Sequence, residues 1–224
     1  QAILEAVDKG RPVVVWNVAA PEWGVVIGDD NGAEHYDVLD HLGQPSSLPY
    51  AKLGRNGIDI LSVLILGDRS GRTREEIVRR SLEAEVRHAR GQEWLERPEY
   101  QDGLAAFDLW AQIMERGALL AEAGKIGNIG AEIPKFAAYY AEHHYAARCY
   151  ARDYLLQISA DSDLLAEAAR CYSQVAARLA SVWRFFSTEK PWTASALREL
   201  SEQIREARDA EEQAISLLEL YLTQ

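Results

Sequence analysis

The hydrophobic pattern changes its period once, at Gly67-Asp-Arg-Ser-Gly71. Before that point apolar residues recur at every second position in short runs; beyond it they recur every third or fourth position. A period of two buries one face of a strand, and a period of 3.6 buries one stripe of a helix, so neither half suits the other's structure. The pattern predicts an α+β protein: a small antiparallel sheet followed by a helical bundle. It divides the chain into a strand-bearing region over 1–68 and a helical region over 69–224 packed on it.

The first region opens with a short helix over 1–9 that stops at Gly10, a residue type suited to the left-handed end of a helix. Strands are expected at Pro12–Asn17, Trp23–Gly28, His35–Leu39 and Ile58–Leu66, runs rich in Val, Ile, Tyr and Trp bounded by Pro, Gly, Asp and Asn. Asp29-Asp-Asn-Gly32 ends in Asn-Gly, whose two residues tolerate positive φ, so the second and third strands should form an antiparallel hairpin. The run Ile58 to Leu66 suits a buried strand. Between Asp40 and Gly57 two prolines and three glycines leave no period, which predicts a loop.

Thr73 with Glu76 makes a capping box for a helix reaching about residue 90. A second helix is expected over about 100–115, with Leu104, Phe107, Trp110, Ala111 and Met114 on one face. A third over about 131–158 has an inner face written Phe136, Tyr140, His143, Ala147, Tyr150, Tyr154. The fourth carries Leu165, Ala168, Tyr172, Val175, Leu179, Val182 and Phe186, is capped by Asp161 or Ser162, and ends before Pro191. The fifth starts after Thr193 with Leu197, Leu200, Ile204, Ala207, Leu218 and Tyr221. Long amphipathic helices on short loops predict an antiparallel bundle, because each stripe needs a partner to cover it.

Composition narrows the functional classes. A net charge of −11 argues against a nucleic-acid surface or attraction to anionic lipid. The arginines at 69, 72, 74, 79, 80, 87 and 90 interleave with Glu75, Glu76, Glu83 and Glu85, the pattern of a solvated helix face. No apolar run reaches a membrane-spanning length and no secretory signal is seen, so a cytoplasmic setting is expected. There Cys149 and Cys171, on consecutive helices, are expected as two buried thiols, although their spacing also allows a disulfide.

The stretches Lys9-Gly-Arg-Pro-Val-Val-Val-Trp16, Trp23-Gly-Val-Val-Ile-Gly-Asp-Asp30 and Tyr36-Asp-Val-Leu-Asp40 resemble the C-terminal half of papain-like cysteine hydrolases. The similarity is to the branch containing bacteriocin-processing peptidases and the N-terminal domain of butirosin biosynthesis protein H, a bacterial group whose helical half also resembles residues 100–222. The resemblance implies that residues 1–68 are a papain-like half-domain with its N-terminal part missing, and that Asp40 matches the acid that orients the catalytic His. The His position falls at Trp23 or Gly24, neither of which takes a proton from a thiol, and the nucleophilic Cys would lie upstream of residue 1. Cysteine catalysis needs a thiolate beside an imidazole, so the resemblance implies a non-catalytic relative.

Strand alternation puts His35, Asp37 and Leu39 on one face and Tyr36, Val38 and Asp40 on the other, so His35 reads as a surface residue rather than a displaced base. Glu22 beside Trp23 makes an apolar-walled carboxylate suited to general acid chemistry or amine binding; a loop carboxylate without function looks the same. His143 and His144 sit in a polar–aromatic patch with Glu142 and tyrosines 139, 140, 145, 150 and 154. Adjacent histidines diverge by about 100° on a helix, and neither has a His or Cys at i+4, so no metal site is expected. Gly124-Lys-Ile-Gly127-Asn-Ile-Gly130 lacks the Walker spacing and follows no strand; it reads as a connector.

The expectation is thus a protein without catalytic residues, metal or cofactor that binds a small molecule or peptide at the sheet–helix junction, in a site lined by Glu22, Trp23, Tyr36 and Asp40. The competing classes are a cysteine hydrolase or acyltransferase with its nucleophile upstream, and a structural module whose helical face forms a homodimer.

Overall fold

Five strands form where β-branched and aromatic residues alternate, and six α-helices where the period lengthens, in the computed structural model of the described residues 1–18, 22–40, 43–55, 59–91, 101–126, 132–160, 162–188 and 190–224. They fall into two units, Gln1–Gly71 and Arg72–Gln224.

In the first unit, helix α1 (Ala2–Asp8) ends where Gly10 adopts φ 67°. That turn lets the Gly10 N–H donate to Val7 O at 2.8 Å and the Arg11 N–H donate to Ala6 O at 2.9 Å, satisfying two terminal carbonyls. The strands are β1 (Val13–Trp16), β2 (Trp23–Asp30), β3 (His35–Leu39), β4 (Pro45–Pro49) and β5 (Val63–Ile65). They make one antiparallel sheet in the order β4-β3-β2-β1-β5. Val13, Val15, Val26, Tyr36, Val38 and Leu48 are buried on the face covered by Ile3 and Ala6 of α1. Gly24 belongs to this face, opposite Val15, and has no room for a side chain: a Cβ there would lie 2.6 Å from Leu39 O.

Three expectations about the sheet need correction. The segment after Asp40 contains a strand, β4, at the sheet edge, where prolines at both ends leave no missing donor inside a ladder. At the other edge β5 is three residues long, and its Val63, Leu64 and Ile65 are exposed rather than buried. Ile58, at the start of the expected strand, lies outside the described residues. The β2–β3 hairpin exists, yet Asp30 pairs with His35, so its loop runs from Asn31 to Glu34 and its left-handed residue is Glu34 (φ 54°). Asp30 Oδ1 holds that loop by accepting from the N–H groups of Gly32 at 2.9 Å and Ala33 at 3.0 Å.

The second unit contains α2 (Arg74–Ala89), α3 (Gly103–Glu122), α4 (Glu132–Ile158), α5 (Asp163–Phe186) and α6 (Ala194–Leu222). The capping box forms: Thr73 N–H donates to Glu76 Oε2 at 2.7 Å and Glu76 N–H to Thr73 Oγ1 at 3.2 Å. Ser162 caps α5, accepting from Leu165 N–H, and Thr193 caps α6; Asp161 lies outside the described residues. Helix α5 packs between α4 and α6, α3 packs on the other side of α6, and α2 lies against α6. The seven apolar residues expected on the inner face of α5 are all buried. Helix α3 runs past Gly117 to Glu122, longer than predicted, and Tyr100 and most of the glycine-rich segment after Gly124 lie outside the described residues. Cys149 is half-buried and Cys171 buried, and both are free thiols.

The inner face of α4 is corrected. Phe136, Tyr140 and Tyr150 are 60%, 59% and 75% exposed, whereas Ala141 and Leu155 are buried. The residues that pack into the bundle include Ala137, Ala141, Ala151, Leu155 and Ile158, spaced like the expected set but displaced by one, with Arg148 half-buried between them; of the expected face, Tyr154 does pack on the core. Small residues let α4 approach α5 closely, which the aromatic stripe would prevent.

Candidate functional site

The four residues expected to line a site in the first unit do not converge. Trp23 opens β2 opposite Trp16, with their rings edge to face at 5.4 Å, on the sheet face away from α1. Tyr36 points into the α1 face, 4.4 Å from the ring of Tyr50. Burial, and then the charge of Asp29, raise the Tyr36 pKa; the same two causes push Tyr50 up to about 12. Tyr50 donates to Asn31 Oδ1 at 3.0 Å, close to the β2–β3 loop. Asp40 closes the loop after β3, its Oδ1 accepting from Gln44 N–H at 2.8 Å. Glu22 is half-buried before β2, its backbone carbonyl accepting from Asn17 N–H at 2.8 Å. A histidine cannot stand at position 24, because Leu39 O occupies the space of its Cβ.

The second unit does bring chemistry-bearing side chains together, in a cavity of about 330 Å³ where the end of α2, the start of α3 and the middle of α4 meet. Its position follows from backbone contacts. Arg90, the residue that ends α2, donates to both carboxylate oxygens of Glu219 at 2.9 and 2.7 Å and to Glu212, anchoring that end to α6. Gly103 begins α3 with φ 54°, and a Cβ there would run into the carbonyls of His88 and Ala89. Only glycine lets α3 start pressed against the last turn of α2.

Around this junction stand His88, Asp102, Phe107, Trp110, His144 and Arg148. Arg148 forms a bidentate pair with Glu211 of α6, Nε to Oε2 at 3.0 Å and Nη2 to Oε1 at 2.7 Å, and Glu211 is 1% exposed. Burial works against the Arg148 charge; Glu211 more than offsets it, and the pKa is raised. The guanidinium also lies over the ring of Phe107, 5.4 Å from its centre. Glu211 engages Nε and Nη2 and leaves Nη1 unused. Behind the pair, Tyr172 donates to Glu85 Oε1 at 2.9 Å; burial first, and the two glutamates next, raise its pKa well above the ordinary range.

His144 faces Trp110 across 5.8 Å. Desolvation, followed by Arg148 and then by His143 and His88, lowers its pKa to about 4, although the side chain is exposed on its outer side. Asp102 occupies the N-cap position of α3 but makes no side-chain cap bond. Its Oδ2 is buried and has no hydrogen-bond partner among the described residues. An unmet buried acceptor costs about 1–3 kcal/mol, so native folds retain few of them.

Both histidines of the polar–aromatic patch of α4 are exposed, but His143 has its Nδ1 2.7 Å from Tyr139 O whereas His144 stands at the rim of the cavity. His88, Asp102, Trp110 and Arg148 were not singled out from sequence as site residues. The available signal was on α4 itself, where a histidine and an arginine interrupt an otherwise apolar stripe. Among the described residues no cluster of three metal-ligating side chains exists, and no helix is long and apolar enough to cross a membrane. No known family model matches the chain, and no curated protein is significantly similar to it.

Proposed function

We propose that this protein is a binding protein for a small polar molecule, held in the helical cavity between α2, α3 and α4. The observation that carries the proposal is the cavity in which Asp102, His144 and Arg148 meet the rings of Phe107 and Trp110. A cavity of about 330 Å³ is at the small end of ligand pockets, which typically combine apolar walls with a few convergent polar groups. Phe107 and Trp110 supply such walls, and Asp102, His144 and Arg148 the polar groups. This keeps the expectation of small-molecule binding and moves the site from the sheet to the helices.

Binding is tested by following indole N–H resonances while a library of small acids, amines and amphoteric compounds is added, with Trp110→Phe identifying the Trp110 signal. Ligands are expected to shift that signal, and Ala106→Trp, which fills the cavity, is expected to abolish the shift. A library that never moves Trp110, or an Ala106→Trp protein that binds unchanged, would refute the proposal.

A further inference from the structure

We infer that the protein forms a twofold-symmetric dimer through the open edge of its sheet, β5 of one copy pairing antiparallel with β5 of a second. This edge lies in the first unit and is independent of the helical cavity. The two edges of the sheet differ. At β4, Pro45 and Pro49 stand at the ends of a short, mostly exposed strand, a composition that discourages a further strand. At β5 neither a charge nor a proline stands between Asp59 and Asp68, and Ile60, Leu61, Val63, Leu64, Ile65 and Leu66 are all exposed. The register with β1 puts Ile65 and Val63 on the face of Val13 and Val15, and Leu64 on the face of Val14. The strand is thus apolar on both faces, the pattern of a strand inside a sheet. An uncharged apolar edge of this kind invites another strand.

Backbone phase and charge select the occupant. Trp16 N–H donates to Ser62 O at 3.0 Å, which carries the β1–β5 ladder one pair beyond Val63. In an antiparallel ladder the N–H and C=O of one residue point to the same side, and the side alternates along the strand. Ser62 and Leu64 therefore turn theirs towards β1, and Val63 and Ile65 turn theirs outward. A second copy, related by a twofold axis through Leu64, sets Val63 against the partner's Ile65, and each such pair exchanges two hydrogen bonds. In that register Asp59 faces the partner's Arg69, each five residues from the axis, and the symmetry makes the pair twice. An axis through Val63 or Ile65 would set Asp59 against the partner's Gly67 or Gly71. Opposite charges equally spaced about one central residue make the edge complementary to itself, so the strand it fits is a second copy of this chain.

The test is sedimentation equilibrium of the full chain, which should show monomer and dimer exchanging at micromolar concentration, the range of a contact smaller than a standard interface. Asp59→Arg alone, or Arg69→Asp alone, sets like charges opposite each other twice and should weaken the dimer about tenfold, whereas the two together should restore it. Ile65→Pro removes an N–H that the β1–β5 ladder does not use, so it should abolish the dimer and leave the thermal melt in place. Leu64→Cys, on the axis, should join two copies by a disulfide under mild oxidation, because opposed residues that share no hydrogen bond have Cα atoms about 4.5 Å apart. Ile60→Cys, which the axis sets far from its equivalent, should cross-link no more than the native chain. A chain that stays monomeric up to ~100 μM would overturn the inference. So would a dimer that survives Ile65→Pro, a charge exchange that restores nothing, or cross-linking at Ile60→Cys as ready as at Leu64→Cys.

Discussion

At the scale of single residues, glycine and histidine show that position rather than type decides the consequence. Gly10 and Gly103 both have left-handed backbones, but a Cβ at Gly10 meets nothing within 4 Å, whereas one at Gly103 meets the carbonyls of His88 and Ala89. Gly10→Ala should therefore cost about 1 kcal/mol, the conformational penalty alone. Gly103→Ala should exceed the ~1–3 kcal/mol of a strained left-handed residue and disturb the cavity, both measurable by urea unfolding and by the Trp110 resonance. The sequence displays both glycines and distinguishes neither, because the carbonyls that crowd Gly103 become its neighbours only after α2 and α3 dock. His144 carries a pH consequence. Its folded pKa, about 4, lies below the ordinary 6.5, so the unfolded chain takes up the proton first as pH falls. Stability from this group is complete above pH 6.5 and lost progressively towards pH 4. Arg148, His143, His88 and Asp102 stand around it, and comparison with His144→Gln isolates the imidazole. The melting temperature of the native chain should fall more steeply between pH 7 and pH 4 than that of His144→Gln, and parallel curves would exclude the effect.

Among the elements, α4 explains how a correct period can yield a wrong face. Positions 136, 140, 143, 147, 150 and 154 share the spacing of 137, 141, 144, 148, 151 and 155, displaced by one residue, or about 100° around the helix. Side-chain size favours the first set and close packing selects the second, because alanines allow α4 to lie tight against α5. Phe136→Ser and Tyr150→Ser should accordingly change stability by no more than about 0.5 kcal/mol. Ala141→Leu, at a position with no exposed surface, should cost about 1–3 kcal/mol by overpacking. Denaturant midpoints of the three variants check the assignment, and a large loss at Phe136 would reverse it. Helix α5 was legible because it has one apolar stripe, covered from both sides. Strand β4 was not, since Leu48 is its single buried residue and its pairing with β3, not its own composition, makes it a strand. The strand alternation that placed Tyr36 with Val38 also sets Trp23 on the opposite face, so alternation itself separates the expected site.

At the scale of the whole molecule, the 224 residues divide into a sheet unit and a helical unit, and the second gathers its charges on one helix. Helix α6 receives Arg90 from the end of α2 and Arg148 from α4, and its Arg198 reaches Glu122 of α3. The Arg148–Glu211 pair joins positions 63 residues apart, so no local spacing announces it. A buried ion pair is weak evidence for stability, because desolvation of two charges can exceed their attraction; replacing both by apolar residues of similar volume is often neutral. Removing one partner is different, costing about 3–5 kcal/mol by stranding the other charge. Glu211→Met alone should therefore destabilise strongly, and Arg148→Met with Glu211→Met should recover most of that loss in urea unfolding. If the pair exists to hold Arg148 at the cavity, the double variant should fold nearly as well as the native chain, and its Trp110 resonance should no longer shift with ligand. A double variant as unstable as the single one would instead make the pair part of the framework, and binding would then have to be carried by Asp102 and His144.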